Sequence, residues 1–148
     1  TEGRGGAVFA RGGTVTVSGS TFSGNDSDGS GGGLFLQNTT FRIEATTLSG
    51  NDADATGGGA RIEGSFGVIA GSTVAGNSSF GQGGGLYLGD SDVIIRGSVV
   101  SGNTAAARDG YGSGGGIYFY GTLTVEDTTI DGNTALYGGG ISSFSRSR

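Results

Sequence analysis

The sequence predicts an all-β fold, a right-handed parallel β-helix (a β-solenoid) with three short strands per coil. Three observations predict it. An Asn recurs at a near-constant interval, a Gly-Gly pair precedes each apolar stretch, and each unit carries three short runs of alternating apolar and polar residues.

The Asn residues close Ser/Ala/Asp-Gly-Asn triplets at Asn25, Asn51, Asn77, Asn103 and Asn133, at intervals of 26, 26, 26 and 30. Self-similarity at a fixed period of this size marks a repeat architecture. The Gly pairs stand at Gly5-Gly6, Gly32-Gly33, Gly58-Gly59, Gly84-Gly85, Gly115-Gly116 and Gly139-Gly140. Variation is concentrated after the Asn, where NDSDGS gives way to NDADAT, NSSFGQ, the longer NTAAARDGYGS and the shorter NTALY. This predicts five full coils of about 26 residues and the start of a sixth.

Within a unit the first run reads AVFA, LFLQ, ARIE, LYLG or IYFY, ending in a truncated ISSF. The second reads TVTV, FRIE, GVIA, VIIR or LTVE, and the third STFS, TTLS, STVA, SVVS or TTID. Alternation with period two, rich in β-branched and aromatic residues, is a strand signature. One unit offers about five inward apolar side chains, too few to offset the ordering of its own backbone. Parallel stacking at about 4.8 Å supplies the missing hydrogen bonds and core. No helical stretch is present for a leucine-rich repeat, and the period is too short for a propeller blade.

Stacking turns each repeat position into a column. Phe22, Leu48, Val74, Val100 and Ile130 form one inward column. Val15, Phe41, Val93 and Leu123 form a second, with Gly67 in the third coil. Val17, Ile43, Ile69, Ile95 and Val125 form a third, and Phe9, Leu36, Ile62, Leu88 and Phe119 line the first strand. The Asn column is expected to be structural, because an Asn amide can bond its counterpart one coil away.

Composition narrows the function. With 36 Gly, the chain could be mistaken for a linker, but the glycines occupy fixed repeat positions. The net charge of −5, with eight scattered Arg and no Lys or His, argues against nucleic acid. No apolar run reaches the roughly 20 residues of a membrane-spanning helix. Cysteine is absent, which removes thiolate chemistry. One β-helix domain is expected over 1–148, either whole or as a segment of a longer solenoid.

Segments such as GGGIYFYGTLTVEDTTIDGNTA and GGGLYLGDSDVIIRGSVVSGN resemble the repeats of polymorphic outer-membrane proteins and of large secreted bacterial β-helix proteins. The resemblance covers residues 5–144. It implies an extracellular or cell-surface location and a structural role by assembly or adhesion, as a fibre subunit or adhesin passenger. Partners would then be copies of itself end to end, further coils of the same chain, or a glycan or host-surface ligand. The alternative it implies is a carbohydrate-binding or carbohydrate-active β-helix.

Catalysis is not expected. Polygalacturonase-like sites need His and Lys beside clustered Asp, and pectate-lyase-like sites need a basic residue near calcium-holding carboxylates. Arg42, Arg61 and Arg96 lie on strands without an evident acidic cluster. No cofactor is expected apart from calcium. Asp26 and Asp28 should stack over Asp52 and Asp54, a hard-oxygen set suited to that ion. Phe35, Arg61, Tyr87 and Tyr118, rimmed by Tyr120, should form an exposed stripe able to grip a sugar or a protein. Tyr111, in the longest loop, should lie near that stripe. Thr21, Thr47, Thr73 and Thr129, interrupted by Val99, form an outward column beside Ser23, Ser49, Ala75, Ser101 and Asp131. That arrangement resembles an ice-binding face. The open edges, Gly5, Gly6, Ala7, Val8 and Phe9 at one end and Ile141, Ser142, Ser143 and Phe144 at the other, are the expected assembly surfaces.

Overall fold

The computed structural model describes residues 3–108 and 110–145. Glu2, Arg146 and Arg148, charged residues compatible with end-to-end pairing, lie outside the described residues. The described chain contains strands and turns and no helix.

Every strand pairs in parallel with the equivalent strand one coil away. The first ladder comprises Val8–Arg11, Leu34–Gln37, Ala60–Glu63, residues 86–89, residues 117–120 and Ile141–Ser143. The second comprises Thr14–Ser18, Thr40–Glu44, Phe66–Ala70, residues 92–96 and residues 122–126. In coils four and five the first two ladders merge into continuous strands, Leu86–Arg96 and Ile117–Glu126. The third ladder runs through Thr21–Ser23, Thr47–Ser49, Thr73–Ala75, Val99–Ser101 and Thr129–Asp131. Beyond these three strands per coil, a two-residue ladder follows each Asn, from Asp26–Ser27 to Thr134–Ala135.

The register corrects the first coil by one residue. Val8 pairs with Leu34, Phe9 with Phe35 and Ala10 with Leu36. The glycine motif is a triplet, Gly31-Gly32-Gly33 in coil two, and its third member in coil one is Ala7. Aligning Gly5-Gly6 with Gly32-Gly33 therefore slips the coil, and a one-residue slip sends every side chain to the opposite face. Phe9 points outward and is 46% exposed, while Ala10 takes the inward place beneath Leu36. The middle glycine is required by close approach: a Cβ on Gly32 would overlap the carbonyl oxygens of Asp52 and Gly58.

The remaining inward columns are as the alternation predicts except at Val125, which is 36% exposed because, among the described residues, no second-ladder strand stacks on it beyond coil five. Ile43, Leu48, Ile69, Val74, Val93, Ile95 and Val100 are buried in one continuous core. Gly67 interrupts its column because Phe41 fills the space, and a Cβ there would lie 2.8 Å from the Phe41 ring. The Asn interval of 30 combines two changes. Asn77 to Leu86 spans nine positions and Asn103 to Ile117 fourteen, so five residues are added; one is lost at a bulge around Asp90.

The Asn ladder is continuous. Oδ1 of Asn51, Asn77, Asn103 and Asn133 each accepts from both the backbone N–H and the Nδ2 of the preceding Asn, at 2.9–3.0 Å. Nδ2 also donates to a carbonyl of the third ladder, as Asn77 does to Leu48. Two hydroxyl ladders, not anticipated from the sequence, run at the strand corners. Thr46, Ser72, Ser98 and Thr128 each accept the backbone N–H of the previous coil's hydroxyl residue, and Ser65 and Ser91 do the same one corner earlier. A hydroxyl at the same repeat position in coil after coil was the available signal.

Candidate functional site

The outward side of the first ladder carries Phe9, Phe35, Arg61, Tyr87, Tyr118 and Ser142 in a single column. Pleating puts these residues on one face, and stacking brings each against the next. Phe9 and Phe35 meet edge to face at 5.4 Å. The Arg61 guanidinium lies between two rings, 5.3 Å from Phe35 and 4.7 Å from Tyr87. Tyr87 stacks on Tyr118 at 5.5 Å, and Tyr120 stands at right angles to this pair, 6.0 Å from Tyr87.

The expected exposure of this stripe is not found. Phe35 is 3% exposed, and Tyr87 and Tyr118 are each 7% exposed. Side-chain stacking and the chain segments after the Asn cover the column. From those segments Ser30 and Thr56 accept hydrogen bonds from Arg61 Nη1, at 3.1 and 2.8 Å. Arg61 Nε and Nη2 both donate to Glu63 Oε2. Arg61 is thus engaged on all sides, and the column is an outward extension of the core. Burial, reinforced by Tyr120, pushes the Tyr87 phenol above its ordinary range, and burial raises Tyr118 as well. Tyr111, by contrast, projects from its loop and is 74% exposed.

A cleft of about 450 Å³ opens beside the column, at coils one to three. Arg4, Asp28, Gln37, Asp54 and Glu63 line it, with the Phe35 edge and Arg61 at its wall. Gln37 Oε1 is buried and has no hydrogen-bond partner. Gln37 and Glu63 stand two residues after the aromatic column, on the same outward face, and were not among the residues expected at a site. They are in register with each other, which was the readable signal.

The four carboxylates proposed for calcium divide between surfaces. Asp26 and Asp52 are paired in the fourth ladder, where Asp52 Oδ1 accepts from Ser78 Oγ at 2.6 Å. Asp28 and Asp54 line the cleft. Among the described residues no three acidic side chains are grouped to hold a metal ion. The Thr column of the third ladder is in register, with Val99 and Asp131 interrupting its two ranks.

The expected assembly edges are both partly open. Gly6, Ala7 and Phe9 are exposed, and Gly5 and Val8 are half-buried. At the other end Ile141 is 40% and Phe144 57% exposed. Ile141–Ser143 occupies the first-ladder place above coil five, the place that the first strand of a stacked copy would also take. Ser142 and Ser143 continue that strand with small polar residues.

A family model described as the right-handed beta helix region matches residues 5–148. The chain belongs to this family. No match was found among the curated proteins or among the solved structures. The match gives this β-helix its handedness and agrees with the parallel ladders throughout. Among its described residues no helix is long and apolar enough to cross a membrane.

Proposed function

We propose that this β-helix is a structural solenoid of the cell exterior, secreted or surface-bound, which acts by adhesion or assembly and without catalysis. The observation that carries the reading is the Arg61 clamp. Arg61 is bonded to Glu63, Ser30 and Thr56 and lies against the Phe35 and Tyr87 rings, in an arrangement that joins coils rather than presenting reactive groups. The raised phenols of Tyr87 and Tyr118 stay protonated at neutral pH, which suits packing and not proton abstraction. Growth end to end through 5–9 and 141–144 belongs to the same reading, and requires one of the two competing first-ladder segments to move aside.

The test combines two measurements on the intact chain. Incubation with a panel of acidic and neutral polysaccharides is expected to release neither new reducing ends nor unsaturated products. Beads coated with the chain are expected to be retained on cell or matrix surfaces. Product release overturns the reading, and retention no greater than for uncoated beads removes adhesion and leaves assembly alone.

A second reading, carbohydrate binding, is favoured by the cleft. Its carboxylates accept from sugar hydroxyls, Arg4 donates, and the buried Gln37 Oε1 lacks a donor that a ligand could supply. A glycan array should then show binding that Gln37→Leu and Asp54→Asn weaken at least tenfold. An array with no bound glycan removes this reading and leaves the structural one untouched.

A further inference from the structure

Between coils four and five the ladder register shifts, at Gly89 and Ser91. Immediately before that shift, the outward column of Gln37 and Glu63 continues as Gly89 and then Tyr120. Two phenols occupy the space that a side chain at Gly89 would take. A Cβ there would lie 2.9 Å from Tyr87 Cε1, 2.9 Å from Tyr120 Oη and 3.1 Å from Tyr120 Cζ. The two phenol oxygens are 3.4 Å apart, and the rings stand at 81° to each other. Tyr87 and Tyr120 therefore meet by their hydroxyl edges, where the Cε carbons ortho to oxygen lie. Tyr118 is disposed differently, stacked on the face of Tyr87 at 18°.

A hollow of about 520 Å³ opens on Tyr120, with Asp90, Phe119 and Phe144 in its lining. Tyr120 is half-buried and borders this space, whereas Tyr87 is 7% exposed.

We propose that Tyr87 and Tyr120 are a site of oxidative cross-linking, joined through their ortho carbons into a dityrosine that ties coil four to coil five, with a haem peroxidase and hydrogen peroxide as the oxidant. Tyr120 gives one electron and one proton to the oxidant and becomes a phenoxyl radical. That radical takes one electron and one proton from the nearby Tyr87 phenol, and Tyr120 is then oxidised a second time. The two radicals, each with spin on its ortho carbons, form a Cε–Cε bond. The hydrogen on each bonded carbon leaves as a proton and each oxygen takes one up, which restores both phenols. Two electrons and two protons have passed to one hydrogen peroxide, which becomes two waters.

Holding the partners edge to edge favours coupling, because groups kept near their reacting geometry behave as if at very high concentration. The ring centres, 6.0 Å apart, still have to close, and Tyr120 makes that movement from the open side. The bond spans 33 residues of sequence and crosses the long segment 104–113. A covalent link across a loop of that length removes freedom from the unfolded chain.

The test uses the whole chain carrying Tyr111→Phe and Tyr137→Phe, which leaves Tyr87, Tyr118 and Tyr120 as its tyrosines. Dilute protein is treated with a haem peroxidase and hydrogen peroxide, and coupling of free tyrosine in a parallel sample shows that the oxidant is active. The monomer is expected to lose the mass of two hydrogens, gain dityrosine fluorescence and melt about 5–10 °C higher. Tryptic mapping should join the peptide containing Tyr87 to the one containing Tyr120. Tyr118→Phe should keep the link, while Tyr87→Phe and Tyr120→Phe should each abolish it. Gly89→Gln, which supplies the side chain that coil two carries at Gln37, keeps both phenols but wedges them apart and should lower the yield at least tenfold. Melts before oxidation verify that each variant is folded. No link within the monomer, a link that survives Tyr120→Phe, or a yield indifferent to Gly89→Gln would each overturn the proposal.

Discussion

The Arg61 guanidinium sits 4.7 Å from the centre of the Tyr87 ring and is held in that place by two bonds to Glu63. A cation flanked by aromatic faces and largely withdrawn from water contributes more than one at an open surface. Arg61→Ala should lower stability by about 1–3 kcal/mol, through the lost ring contacts and the unpaired Glu63. Arg61→Lys should recover little, since an ammonium cannot stack flat and bond Glu63, Thr56 and Ser30 together. Urea denaturation of the three proteins measures this.

The Asn ladder should show position dependence. Asn77 accepts twice from Asn51 and donates to Leu48 and Asn103, all in the buried interior. Asn77→Ala leaves several of these groups without partners and should cost about 3 kcal/mol or more. Asn25→Ala removes one side-chain donor at the rim and should cost about 1 kcal/mol. Equal losses in thermal melts would contradict the ladder's role.

Ala45 has a left-handed backbone, φ 46°, in a column otherwise occupied by Gly19, Gly71, Gly97 and Asp127. An L-residue with a Cβ is strained in that region, and glycine is not. Ala45→Gly should therefore stabilise the protein by about 1 kcal/mol, the reverse of the usual effect of Ala→Gly. A rise in melting temperature checks it.

Alkaline pH should destabilise the fold. The phenols of Tyr87 and Tyr118 ionise less readily when folded, because burial disfavours their charged form. Their contribution is complete below the ordinary tyrosine value of about 10 and falls as pH rises through it, since the unfolded chain loses those protons first. Tyr87→Phe/Tyr118→Phe should flatten the stability profile above that pH. An unchanged slope would show that the two phenols are not its source.

Much of this molecule is legible in its sequence for a physical reason. In parallel stacking, residues one period apart touch, so Asn51 and Asn77, or Leu48 and Val74, declare their contact by spacing alone. The one-residue error at Phe9 arose where that spacing was ambiguous, because Ala7 replaces the third glycine that would have anchored the coil. The hydroxyl ladders and the Gln37–Glu63 register were equally available, although Ser and Thr at corners look like ordinary turn residues.

The period, the inward columns and the Asn ladder follow from the order of residues alone, because alternation and spacing map directly onto a pleated, in-register stack. That Phe35, Tyr87 and Tyr118 are covered while Phe66 and Ile94 are not emerges only in the folded solenoid. All five point outward, and alternation treats them alike. Their burial depends on Arg61 lying between the rings and on Ser30 and Thr56 reaching it from the variable segments. The path of those segments follows from the whole set of contacts, and no local pattern specifies it.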